Sequence, residues 1–302
     1  MAEKTELRQA KNEVFIEGIL SEISLQYGSY TKDGKTIENI GGDIKIKTSQ
    51  VINGQEKQLE IPVYLFANKL KKDGNPNPAY TSIEKVKNEF VSIAVAGEDK
   101  ADRVRISKGD IRMNEFYNKN GALTSYPRIH ATFVSKVNAS DYKPDAKCSI
   151  ELVVASKEYE VDKDGNETGR YKVMGIVPQY GDKVDIIPFY CVSEGVINAV
   201  SEYWSENDTF EAVCKLNFTS TTETTLTEVD FGEPVEKTRT INVSEIIITG
   251  GSQTPLEGEF AYDINAVQRG LDRRAAHLEE QKNKDSKKSA PAAAKKGLDL
   301  GF

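Results

Sequence analysis

From Asn12 to about Gly250, apolar and polar residues alternate with a period of two, the mark of half-buried β-strands. In "GGDIKIKTSQV", Ile44 and Ile46 alternate with Lys45 and Lys47. In "QLEIPVYLF", Leu59, Ile61, Val63 and Leu65 alternate with Glu60, Pro62, Tyr64 and Phe66. Asn53-Gly54 between the two runs is a two-residue hairpin signal, so residues 43–66 are expected to form a long β-hairpin. "EVFIEGILSEI" predicts a strand before it. "NPNPAYTSIEKVKNEF" then leaves the sheet: two prolines break it, Thr81 with Glu84 offers a capping box, and a short helix is expected to end near Asn88. "FVSIAV" and "DRVRISKGDIRM" predict two further strands.

The second half repeats this order. "RIHATFVSKV" reads as an opening strand, and "AKCSIELVVASKEYEV" and "GRYKVMGIV" flank a turn at Asp162–Asn166. "VDIIPFYCV" follows, then a helix over "EGVINAVSEYW" capped by Ser193, then "TFEAVCKLNFTS" and "TRTINVSEIIIT". Ile61-Pro62-Val63-Tyr64 and Ile187-Pro188-Phe189-Tyr190 occupy the same place in the two copies, just before the helix. Three strands, a helix and two strands is the order of the OB-fold, a small Greek-key barrel. The expected fold is therefore mainly β, with two tandem OB-like barrels over residues 1–127 and 128–253. An amphipathic helix is expected over 254–280, with Ile264, Val267, Leu271 and Leu278 in one stripe and Arg269, Arg273 and Arg274 away from it. Residues 281–302, rich in Lys, Ser, Ala and Pro, are expected to be a disordered tail whose tip carries Leu298, Asp299, Leu300 and Phe302.

Composition narrows the function. No apolar run is long enough to span a membrane, and the charged N-terminus lacks the h-region of a secretory signal, so a cytoplasmic protein is expected. Cys148, Cys191 and Cys214 are too few and too scattered for a disulfide framework, and read as buried reduced thiols. The two histidines, His130 and His277, do not make a zinc site. Phosphate-loop and nucleophile-elbow motifs are missing. No catalytic constellation can be assembled, and no enzyme activity, cofactor or metal is expected. The net charge of −7 does not by itself suggest a nucleic-acid binder. By segment, however, residues 1–127 carry +1 and residues 128–253 carry −9, so the first barrel can present a local basic stripe.

Strand parity then separates core from surface. With the aliphatics of residues 43–66 inward, Lys45, Lys47, Tyr64 and Phe66 face out, and Arg103 and Arg105 do the same around Val104 and Ile106. Cations beside exposed rings suit a single strand of nucleic acid: the cations follow phosphates and the rings stack on bases. Tyr27 and Tyr30 are expected in the loop after the first strand, a binding loop of this fold. Phe116, Tyr117 and Tyr126 flank the turn near Gly121 and extend the path. The second barrel offers Arg170, Lys172 and Tyr190, beside Tyr171 and Tyr180, with a scaffold or partner-docking role as the alternative.

At these residues the chain resembles single-stranded DNA-binding proteins, particularly phage-encoded ones with tandem OB-folds. "NEVFIEGILSEI" resembles the family's first strand, the doubled barrel covers roughly residues 12–250, and "GLDLGF" is similar to the family's tail tip, although Lys295 and Lys296 precede it where acids are usual. The resemblance implies coating of transient single-stranded DNA in replication, recombination or repair. It also implies that replication or recombination proteins dock on the tail. Two barrels in one chain leave room for self-association. The competing class is a β-rich protein-interaction or virion structural protein without nucleic-acid binding.

Overall fold

The computed structural model describes residues 7–227 and 235–289. The first barrel is built from β1 (Asn12–Lys32), β2 (Lys35–Ile52), β3 (Gln55–Asn68), helices α1 (Pro78–Glu89) and α2 (Ile93–Ala96), β4 (Arg103–Tyr117) and β5 (Leu123–Ala131). β1 pairs β2, β2 pairs β3, β3 runs parallel to β5, β5 pairs β4, and β4 returns to β1. That closed order is the OB barrel. Asn53 and Gly54 take positive φ at the β2–β3 turn, as the sequence signal requires. Ile44, Ile46, Leu59, Ile61, Val63 and Leu65 are all buried, each worth about 1.5–3 kcal/mol against exposure.

A two-residue strand, β6 (Ser135–Lys136), leads to the second barrel: β7 (Asp145–Val161), β8 (Glu167–Gln179), β9 (Lys183–Cys191), α3 (Glu194–Tyr203), β10 (Thr209–Thr227) and β11 (Val235–Gly251). The pairings repeat those of the first barrel, with β9–β11 parallel and β7–β10 closing the ring. Phe189, Phe210 and Phe218 fill its core, and Cys148, Cys191 and Cys214 lie there buried and free.

Several local expectations are corrected. "FVSIAV" is not a strand: Ser92 opens the short helix α2 instead, and the chain turns at Gly97 (φ 81°) into β4. The fifth strand of the first barrel is β5, so the expected division at 127/128 falls inside a strand. "RIHATFVSKV" splits between β5 and β6 rather than opening the second barrel, because its alternating residues pair with β3 and β4. Thr81 lies within α1. The cap is Asn77, whose side chain accepts from the Ala79 N–H, with Pro78 at the first helical position. Ser193 precedes α3 without a side-chain cap bond.

Three of the ties that join the barrels hold the interface together along its length. β1 pairs β7 from Asn12↔Ile150 to Glu17↔Asp145. The tip of the β2–β3 hairpin reaches β10, where the Gln50 side chain donates to the Leu216 carbonyl. The third tie is α4 (Ile264–Ser289). Asp263 caps it by accepting from the Asn265 N–H, 2.8 Å. Its buried side is Ala266, Val267 and Gly270. Gly270 lies so close to β9 that a Cβ there would stand 2.6 Å from Val184 Cγ1. Arg274 was expected on the solvent face, but it reaches Glu115 of β4, Nε to Oε2 3.0 Å. Arg273 pairs with Asp182 at 2.8 Å. α4 runs to Ser289, so residues 281–289 are helical rather than tail. The tip residues Leu298, Asp299, Leu300 and Phe302 lie outside the described residues.

Candidate nucleic-acid interface

The outer face of the first barrel is laid out by register. Asp43 of β2 stands opposite Tyr64 of β3, which neighbours His130 of β5, which faces Asp110 of β4. Arg128 and Arg112 are partners one step along the same β5–β4 ladder, followed by Tyr126 and Asn114. Period-two alternation thus gathers residues from four strands on one surface.

Tyr64 and Phe66 lie nearly parallel (8°) with ring centroids 6.4 Å apart. Phe66 is 44% exposed. Its ring leans over its cross-strand partner Gly41, where a Cβ would meet Cδ2 at 2.8 Å. His130 meets Tyr64 edge-on at 5.3 Å. Burial, aided by Arg112 and Arg128, lowers the His130 pKa to about 4, so its imidazole is neutral at pH 7. The Arg128 guanidinium sits 3.9 Å from the Tyr64 ring centroid, and its Nη2 is 2.8 Å from both carboxylate oxygens of Asp43. At the far end of the β4–β5 hairpin, Phe116 and Tyr126 meet at right angles, 6.4 Å apart.

The expected residues divide. Tyr64, Phe66 and Phe116 join this face. Lys45 and Lys47 flank it, paired with Glu22 and Glu98 at 2.7 Å each. Such exposed pairs are worth about 0–1 kcal/mol. Tyr27 and Tyr30 are not in a loop. β1 runs on to Lys32 and turns at Asp33-Gly34, so both rings sit on a long hairpin arm. Tyr30 shares the parity of Phe66 and takes a bond from Asn68 Nδ2, 3.2 Å. Tyr27 faces α1, where its hydroxyl donates to Glu84 at 3.2 Å. Tyr117 takes the opposite parity, that of Glu115.

Arg103 and Arg105 stand apart. An irregularity at Ser107-Lys108 shifts the register of β4 against β1. Arg105 pairs with the buried Glu17 at 2.6 Å, and Arg103 lies 5.5 Å from the Tyr142 ring centroid. Both serve the connection between barrels. Arg112, Arg128, His130, Asp43 and Asp110 were missed. The alternation Tyr126, Arg128, His130 in "TSYPRIHA" carries the signal, but a division at 127/128 cuts it and leaves only Tyr126 with the first barrel.

The second barrel repeats the motif with charges exchanged. Arg170 of β8 sits 4.3 Å from the Tyr190 ring centroid and pairs with Glu245 at 2.9 Å and Glu160 at 3.2 Å. Glu245 holds the register position of Arg128, and Lys172 that of Asp43. Asn217, buried, donates to Glu245 at 2.7 Å. On this face the charge of Arg170 is paired within the barrel. Among the described residues, no cluster of His, Cys, Asp or Glu is arranged to hold a metal ion, and no helix is long and apolar enough to cross a membrane.

Arg128 is shared between Asp43 and the space above Tyr64, which gives a direct test. Asp43→Asn frees the guanidinium for a phosphate. Affinity for single-stranded DNA is expected to rise several-fold, and the slope of log K against log salt to steepen by about 0.7, one extra phosphate contact. An unchanged slope and affinity would mean that Arg128 does not meet the backbone.

Comparison with solved structures places the fold among OB-fold proteins. The wild-type single-stranded DNA binding protein from Thermus aquaticus aligns with TM-score 0.51 at 10% identity, over 83% of this chain and 96% of that one. A deletion variant of the same protein aligns with TM-score 0.50 at 11% identity, over 83% and 97%. The chain belongs to the YorF family, whose model matches residues 11–284. No curated protein sequence matches it.

Proposed function

We propose that this protein binds single-stranded DNA through the first barrel and coats it during replication, recombination or repair, as a phage-encoded protein in the host cytoplasm. The observation that carries the reading is the Tyr64–Phe66 pair flanked by Arg128, Arg112, Lys45 and Lys47. It lies on the face that OB-folds use for oligonucleotides, between the β1–β2 and β4–β5 hairpins that such barrels use as binding loops. Rings supply stacking that tolerates any base, and cations supply backbone attraction. The fold-alike structures from Thermus aquaticus are of a single-stranded DNA binding protein, which supports the same reading. The second barrel, with the charge of Arg170 internally paired, acts chiefly as a scaffold beside the first. The tip at Leu298, Asp299, Leu300 and Phe302 serves as a docking segment for replication or recombination proteins.

The test is a fluorescence titration with oligo-dT at two salt concentrations. Tight binding that weakens as salt rises is expected, with quenching of tyrosine emission. A protein that fails to bind at low salt and forms a salt-insensitive oligomer would instead be a β-rich interaction or virion structural protein.

A further inference from the structure

Beside the Tyr64 ring the outer face is not flat. A cavity of about 300 Å³ opens between β3, β4 and β5, lined by Tyr64, Phe66, Asp110, Arg112, His130 and Thr132. Its walls differ in kind. Tyr64 and Phe66 form an aromatic side, and His130 stands edge-on to Tyr64. The opposite side is polar: Asp110 and Arg112 form an ion pair through Oδ2 and Nε, and the Arg112 side chain remains 54% exposed. Phosphate contacts alone do not call for a carboxylate in such a cavity, since a carboxylate repels the backbone. A carboxylate does suit the N–H groups of a base.

We propose that this cavity takes one guanine base of the bound strand and reads its Watson–Crick edge. The inference rests on the single-stranded DNA reading above and adds a base preference to it. Guanine alone presents two adjacent N–H donors, N1 and N2, beside a carbonyl, O6. A carboxylate has about four lone-pair positions and keeps capacity after pairing with Arg112 Nε. Asp110 accepts from N1–H and N2–H, while the terminal nitrogens of Arg112 donate to O6. The neutral His130 ring supplies one further donor or acceptor. Thymine presents two carbonyls around a single N–H and would set a carbonyl against Asp110. Single-stranded bases splay out and are read on this edge while stacked on aromatic side chains.

The experiment compares a short oligo-dT with the same oligonucleotide carrying one central guanine, 7-deazaguanine or hypoxanthine. Guanine is expected to tighten binding by about five-fold or more, the lower range for one bidentate contact. 7-Deazaguanine, which keeps the edge being read, retains the gain. Hypoxanthine, which lacks the 2-amino group, loses most of it. Asp110→Asn brings the guanine-to-thymine ratio toward one, with an unchanged circular dichroism spectrum as the folding check. Equal affinity for the dT and guanine oligonucleotides overturns the pocket and leaves the DNA-binding reading standing. So does a full gain with hypoxanthine. Failure of both oligonucleotides to bind overturns both.

Discussion

Replacing Tyr64 and Phe66 together by alanine weakens binding of oligo-dT by about 30-fold to about 10⁴-fold. The figure follows from stacking: each base–ring contact is worth about 1–3 kcal/mol, so two rings carry roughly 2–6 kcal/mol, at about 1.4 kcal/mol per tenfold. The fold should tolerate the change. Both rings lie on the solvent side of β3, while the inward neighbours Val63 and Leu65 keep the core filled. Arg128 loses its ring but keeps Asp43. The control is Tyr27→Ala, which removes a ring lying against α1, under Lys87 and beside Glu84. Its affinity should stay close to that of the unaltered protein. An intact affinity in the double variant would move the site off this face, and equal losses in both would place the strand over α1.

The second large effect concerns stability and pH. Asp185, near the start of β9, accepts from the Met113 N–H of β4 at 3.2 Å. It lies on a cavity of about 440 Å³ lined also by Glu115, Arg273, Arg274 and His277. Burial raises its pKa from 3.8 to about 6. The nearby Glu115 adds to the rise, while the Met113 bond, Arg274 and Arg112 oppose it. A carboxyl raised in the folded state favours folding in its neutral form. Its contribution is therefore fully present below about pH 4 and is lost as pH rises through about 6. The displacement corresponds to roughly 3 kcal/mol. Asp185→Asn keeps a carbonyl oxygen for Met113 and carries no charge. Its stability by urea unfolding should match that of the unaltered protein near pH 4 and exceed it by up to roughly 3 kcal/mol at pH 7.5. A difference that does not change with pH would show that Asp185 is well solvated or well paired.

Most of the architecture was legible in the alternation of side chains, and the reason is physical. Residues 43–66 have one apolar and one polar face, an Asn-Gly pair that takes the positive φ of a tight turn at low cost, and no competing helical period. The same rule correctly placed Tyr64 and Phe66 outside. It failed where alternation is short or ambiguous. "FVSIAV" has strand-forming residues, but it follows a helix and turns at Gly97, so tertiary context overrode propensity. The second half of β5, from Arg128 on, was assigned to the wrong barrel because its pairing with β3 is parallel and spans 66 residues of chain, from Val63 to Ile129, which no local pattern encodes. That single misassignment hid Arg128 and His130. The parity change in β4 hid the opposite error: Arg103 and Arg105 alternate correctly with the core, yet the irregularity at Ser107-Lys108 aims them at the second barrel's connection. The pairing of Arg128 with Asp43 brings together residues 85 positions apart, and only the folded sheet makes it visible.

The shared strand β1 has a mechanical consequence. Its early residues pair with β7 and its later ones with β2, so the two barrels are joined along a ladder as well as through the chain that connects them. Bending one against the other would shear those rungs and unseat Arg274 from Glu115. A single strand held as proposed on the first barrel would therefore pull on both barrels through backbone hydrogen bonds, and not through the connecting chain alone.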